Sequence, residues 1–328
     1  MPYHLLGDTP NVVVDGSPTD STVLTLSHWP GMPTPEELLD DLSAQIAFRA
    51  LDRPDLLAGI DAVSNNHYDQ DGMVSALALI EPDAARAREE LLIDVAAAGD
   101  FATFRFRDAA RVTFALAAYD DPERSPLDPD IFRHGYEHQC GQLYLELLPR
   151  LVGMVDDVET VKPLWEAEDA HLHESLHAIA RDVVTIDEQP DLDLAVVTVP
   201  VTWADQMISR FTISRTAAVH PVAVNSSTSQ FRVLTIHGQR YRLEMRYESW
   251  VMYRSRPVLP RPDLRLLAAA LQEIEPTDVE WSADAPGALT PTLRHTGDES
   301  GIVPVVLRRE VEHFLASSPP AWDPYAGR

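Results

Sequence analysis

Residues 61–80 read DAVSNNHYDQDGMVSALALI. DAVSNN has the apolar-to-polar run of a short strand that ends at a surface. His67, Asp69 and Asp71 follow at alternate positions, then Gly72, then the apolar stretch MVSALALI. This order predicts a strand, a sharp turn and a helix beginning near Met73, with Pro82 ending it. Alternate residues at a bending strand end can converge on one ion. Hard divalent cations prefer carboxylate oxygens, and manganese also accepts imidazole. Gly72 lets backbone N–H groups approach an anion, and the helix start adds the positive end of its dipole. The turn therefore offers metal ligands beside a phosphate cradle. A calcium loop is excluded, because counting from His67 puts Ala78 at the twelfth position.

Outward from this stretch, the first half alternates strands and helices. VLTLS (23–27) reads as a strand, followed by the turn HWPGMPTP. Thr34, Pro35 and Glu37 form a capping-box pattern that opens a helix through residues 35–51. ARAREELLIDVAAAG (85–99) reads as one helix stopped by Gly99, with Asp100 just beyond. Residues 128–155 and 161–183 carry helical spacing. The expected fold class is α/β: a parallel sheet flanked by helices over residues 1–187. Ligand sites in such sheets lie beyond the carboxyl ends of the strands, where SHWPG, with His28, and NNHYDQDG both fall. The acidic TIDEQPDLD (185–193) marks the boundary. Residues 188–328 then read as a smaller α+β domain, a candidate substrate-binding cap. Its signs are the strand LAVVTVPV, a hairpin over 231–253 turning at Gly238, and helices over 262–274 and the end of the chain.

The motif HYDQDGMVSA resembles motif I of the DHH phosphoesterase superfamily, H-x-D-x-D-G followed by serine, here Ser75. The resemblance implies a parallel α/β domain joined to a smaller substrate-binding domain. It also implies two manganese or magnesium ions and hydrolysis of phosphodiesters, short oligonucleotides or pyrophosphate. His67, Asp69 and Asp71 would be metal ligands, with Asp71 and His67 the catalytic pair. The Asp-His-His motif that names the family is absent; the chain has no adjacent pair of histidines.

Two histidine pairs offer further ligands. HESLH (173–177) matches H-E-x-x-H, with His173 and His177 on one helix face and Glu174 as base for zinc-bound water. HGYEH (134–138) is the inverted form. The first pair could instead supply the imidazoles that an Asp-His-His motif would give. Asp100 and His28 complete the metal-ligand candidates. For phosphate, LRHTGDESGI (293–302) offers Arg294, His295 and Ser300 on a polar loop, and SRFTISR (209–215) offers Arg210 and Arg215.

The chain of 328 residues is 45% apolar and 24% charged, with net charge −26 and Lys162 as its only lysine. Such acidity repels a long nucleic-acid backbone. No run is long and apolar enough to span a membrane. One cysteine, Cys140, fits a reducing, cytoplasmic setting. The expectation is a metal-dependent hydrolase of a small phosphorylated molecule, using Mn2+ or Mg2+. The alternatives are a zinc hydrolase built on HESLH and a non-catalytic DHH-like binding protein. A homodimer is compatible with the sequence.

Overall fold

A computed structural model describes residues 1–208 and 216–326. The fold is mixed α/β. The chain divides into two compact units. The first holds Met1–Ala170 and Met252–Ser255; the second holds His171–Ile208, the described residues up to Val251, and Arg256 onward.

The first unit is built on three parallel strands, β1 (Asn11–Val14), β2 (Thr22–Leu26) and β3 (Ala62–Ser64), in the order β2-β1-β3. Val12, Val13 and Val14 are at most 1% exposed, so the central strand is covered on both faces. Helices α1 (Ser43–Ala50), α2 (Gln70–Ile80), α3 (Pro82–Arg86), α4 (Glu89–Asp100), α5 (Arg107–Asp120) and α6 (Tyr136–Asp156) belong to this unit, and α7 (Lys162–Ala180) begins in it. Parallel order puts the carboxyl ends of all three strands on one edge. β1 leads into Asp15, β2 into Ser27 and His28, and β3 into Asn65–Asp71.

Several local expectations change. The Thr34 capping box starts only a 3-10 turn, Glu36–Leu38; the α-helix begins at Ser43. Its first N–H groups, on Ser43 and Ala44, donate at 2.8 and 2.7 Å to the Asp71 carboxylate. A cap supplied from 28 residues away leaves no local signature. Residues 85–99 divide between α3 and α4, and Gly99 lies inside α4 rather than stopping it. A Cβ there would meet Gln70 Oε1 at 2.6 Å, so Gly99 is the point where α4 and α2 touch. β1 and α5 have no counterpart in the sequence reading.

The second unit carries a six-stranded sheet, β10-β11-β9-β8-β5-β4, in which only β5–β8 is parallel. Its strands are β4 (Thr185–Gln189), β5 (Leu194–Val199), β8 (Arg232–His237), β9 (Arg240–Met245), β10 (Trp281–Ala283) and β11 (Thr292–His295). A two-residue ladder pairs β6 (Gln206–Met207) with β7 (Thr216–Ala217). The remaining helices are α8 (Pro221–Asn225), α9 (Leu264–Ile274) and α10 (Pro304–Ser317). Strand β5 is buried on both faces, by period-2 alternation. Leu194 and Val196 join a core with Leu267 and Leu271 of α9 and Leu307 and Val311 of α10. Val197 and Val199 pack on the other face with Val219, Val224 and Val233. The β8–β9 hairpin turns at Gly238, whose φ of 65° suits glycine. TIDEQ, expected as a linker, is instead the edge strand β4, and the units divide between Ala170 and His171 inside α7.

Candidate metal centre

Six side chains converge at the carboxyl edge of the three-stranded sheet. Asp15 follows β1 with a left-handed φ of 47° and is fully buried. Ser43 Oγ donates to its Oδ1 at 2.7 Å. Its Oδ2 has no well-formed hydrogen bond and faces His67 Nε2 at 3.3 Å. Gly16 follows, and a Cβ there would strike Asn66 Oδ1 at 2.2 Å, so only glycine lets the two turns approach.

His28 is fully buried, and its Nδ1 lies 2.6 Å from the Asp41 carbonyl. A carbonyl only accepts, so Nδ1 carries the proton and Nε2 presents its lone pair. That lone pair faces Asp15 Oδ1 at 3.4 Å, Asp100 Oδ2 at 3.6 Å and Asp71 Oδ2 at 3.9 Å. Burial keeps the ring below its ordinary pKa, against the pull of Asp15.

Helix α2 begins at Gln70, three residues before the expected start near Met73, so Asp71 lies in its first turn and in a different ligand group from His67 and Asp69. Asp69 caps α2, accepting from Gly72 N at 2.8 Å, and its Oδ2 meets His67 Nε2 at 2.8 Å. Burial works against ionisation of Asp69, but His67 and the Gly72 N–H hold it below the usual carboxylate range. Burial also opposes the charge on His67, yet Asp69 and Asp15 lift that ring well above its ordinary value. Asp71 is pushed well up, by burial first and then by Asp15 and Asp69. Burial raises Asp15 and Asp100 as well, with Asp69 adding to both. Asp100 is the last residue of α4, where the helix dipole disfavours an anion. Local preference is broken here in favour of the cluster.

The donor set therefore fits a divalent cation. Among the described residues, Asp15, His67 and Asp69 form one group able to hold an ion, and Asp15, His28 and Asp71 form another. The two groups share Asp15. Carboxylates mixed with imidazole suit manganese or magnesium over a thiolate-loving metal. A lone pair aimed at three carboxylates is repulsive unless a cation or protons lie between them.

A model of the family described as Family of unknown function (DUF6687) matches residues 1–326. The chain belongs to this family. No curated protein and no solved structure matches it.

In this DUF6687 chain the fold brings together His28, His67, Asp69, Asp71 and Asp100, all legible as candidates. It adds Asp15, which sequence reading missed. The available signal was VVVDG, an apolar run ending in Asp-Gly. Other candidates have different employment. His173, Glu174 and His177 are exposed on α7, their imidazoles stacked 6.5 Å apart, and Glu174 accepts from Gln206 at 3.0 Å. They join no metal-type group among the described residues. HGYEH does not lie on one helix, because Gly135, with φ 83°, precedes the first turn of α6.

The expected phosphate loop is partly strand β11. Arg294 is paired with Asp284 at 3.0 Å, and His295 packs at a tilt against Trp281, ring centres 4.9 Å apart. Ser300 Oγ donates to Glu275 at 2.5 Å. Burial opposes ionisation of Glu275, but donors from Ser300, Thr277, Trp281 and Gly301 bring it down to about 2. These residues hold the second unit together, and their polar groups are already engaged. Arg210 and Arg215 lie outside the described residues. Cys140 is buried, and burial pushes its thiol up to about 12, which keeps it unreactive. Among the described residues, no helix is long and apolar enough to cross a membrane.

Proposed function

We propose that the chain is a metal-dependent hydrolase acting on a small phosphorylated substrate of the phosphodiester or pyrophosphate class. The observation that carries this reading is the pair of ligand groups sharing Asp15. A carboxylate shared by two ligand groups suits a two-metal phosphoryl-transfer site, where the two ions lie a few ångströms apart. Asp15, His67 and Asp69 would hold one Mn2+ or Mg2+, and Asp15, His28 and Asp71 the other. Bound ions would supply an activated water and neutralise the phosphoryl oxygens.

The chain's own groups divide the remaining work. The Asp41 carbonyl fixes the His28 tautomer, and the first N–H groups of α1 fix Asp71. Asp15, His28 and Asp71 are sealed from solvent, whereas the His67 and Asp69 side chains are 22% and 27% exposed. Substrate would therefore enter on the His67–Asp69 side. Trp29 packs against His67 with ring centres 5.2 Å apart and limits that opening.

The test is elemental analysis after dialysis of the purified protein against manganese and zinc in parallel, followed by a phosphodiester and pyrophosphate panel. Retained manganese, with hydrolysis that Asp15→Asn abolishes, is the expected result. Zinc retained and lost only with His177→Ala would replace this reading with the HESLH site, and no retained metal would refute both.

A further inference from the structure

We infer that Arg254 is the anion-binding residue of the candidate metal centre, the group that grips the substrate's phosphoryl oxygens; the inference rests on the hydrolase reading. The segment Met252–Ser255 belongs to the first unit. It is fastened to the loops that carry His28. Met252 N donates to the His28 carbonyl at 2.8 Å. The Asp41 carboxylate accepts from Arg254 N at 2.5 Å, from Ser255 N at 2.9 Å and from Ser255 Oγ. The same Asp41 holds the His28 ring through its carbonyl. Tyr253 packs edge-on against Phe101, ring centres 5.6 Å apart, directly after Asp100. Residues 252, 253 and 254 thus each lean on a part of the cluster's frame.

The charge distribution singles out the arginine. Every other arginine of the first unit among the described residues, and Lys162, lies within 3.8 Å of a carboxylate. Among the described residues of that unit, Arg254 is the one arginine that is exposed with no carboxylate partner. In a chain of net charge −26, an arginine finds a carboxylate easily. One kept unpaired on a segment fastened to Asp41 and to the His28 carbonyl is available to an anion, and its planar fork matches two phosphoryl oxygens at once. The cluster itself supplies no cationic side chain except through its histidines. A phosphate approaching it therefore needs this charge in addition to the metal.

The experiment uses the full chain dialysed against manganese, with inorganic phosphate as the probe in calorimetry. Wild type should retain manganese and bind phosphate. Arg254→Ala should retain the same manganese, since Arg254 is no ligand, and bind phosphate about 10-fold or more weakly. Arg254→Lys should recover part of the loss, and Arg49→Ala, which removes a paired surface arginine, should change nothing. Equal phosphate binding by wild type and Arg254→Ala overturns the inference, as does a manganese-loaded wild type that binds no phosphate. A wild type that retains no manganese overturns the hydrolase reading and this inference with it.

Discussion

Each unit buries charge, and the two do so in opposite ways. In the second unit, Arg246, Glu248 and Arg261 are at most 3% exposed. Arg246 pairs with Glu248 and donates to the carbonyls of Asn225 and Thr228. Arg261 donates to Ser249 Oγ and to the carbonyls of Ala288 and Leu289, beneath the Trp322 ring. Burial brings Arg261 down to about 9, against the pull of Glu248, so it stays charged at neutral pH. Positive and negative groups there answer one another, so the burial is structural. At the edge of the three-stranded sheet, four aspartates share a site with two histidines and no arginine or lysine, so acidic groups outnumber basic ones. Like charges kept together out of water cost stability. A chain that keeps them answers them with a cation or with protons, or has given up stability for function.

Substitutions of acid by amide sharpen the contrast, because their signs should differ. Glu248→Gln leaves Arg246 buried without its counter-ion. Urea unfolding should show a loss of about 3–5 kcal/mol. Asp15→Asn should do the reverse in metal-free protein. Asparagine tolerates the left-handed backbone at that position, and one buried negative charge disappears. The metal-free form should gain about 1–2 kcal/mol. Manganese retention should fall by about 100-fold or more, which equilibrium dialysis would measure. A destabilised Asp15→Asn that retains manganese would erase the distinction between the two regions.

A smaller effect tests burial without clustering. Asp120 ends α5, accepts from Gln139 at 2.8 Å and is raised by burial to about 6. A raised carboxyl contributes stability that is complete below its unfolded pKa near 3.8 and lost as pH rises through about 6. Asp120→Asn should match wild type at pH 4 and exceed it by about 1–2 kcal/mol at pH 7, read from unfolding curves at both. The smallest effect belongs to the exposed pair on α7. His173→Ala and His177→Ala should leave manganese retention unchanged and shift stability by less than about 0.5 kcal/mol. A large loss of metal in either would move the site to that helix.

How far the site was legible follows from how local each interaction is. His67, Asp69 and Asp71 stand on one turn, so spacing alone exposes them. Asp69 caps α2 three residues on, a pattern within reach of any local reading. His28 was recognisable because its strand was, although its role depends on a carbonyl from residue 41. Asp100 looked like a residue beyond a glycine stop. It is instead the end of a helix that Gly99 lets press against Gln70. Asp15 was missed because it stands alone after its strand, with no ligand-type residue at alternate spacing beside it to mark the turn. The phosphate loop failed for the converse reason. Arg294 and Ser300 look free in sequence, but their partners Asp284 and Glu275 approach only through sheet pairing and helix packing.

The sequence by itself determined the strand–turn–helix at 61–80, the two helices read at 128–155 and 161–183, which form at Tyr136–Asp156 and Lys162–Ala180, and the hairpin at Gly238. Each rests on periodicity, turn chemistry or a cap within a few residues. Only the tertiary structure decided that Asp15 stands between two ligand groups, that Asp71 starts a helix far from it in sequence, and that Arg254 is left unpaired. The parallel order β2-β1-β3 is the reason: it brings the ends of distant segments to one edge, and no local pattern encodes which ends those will be.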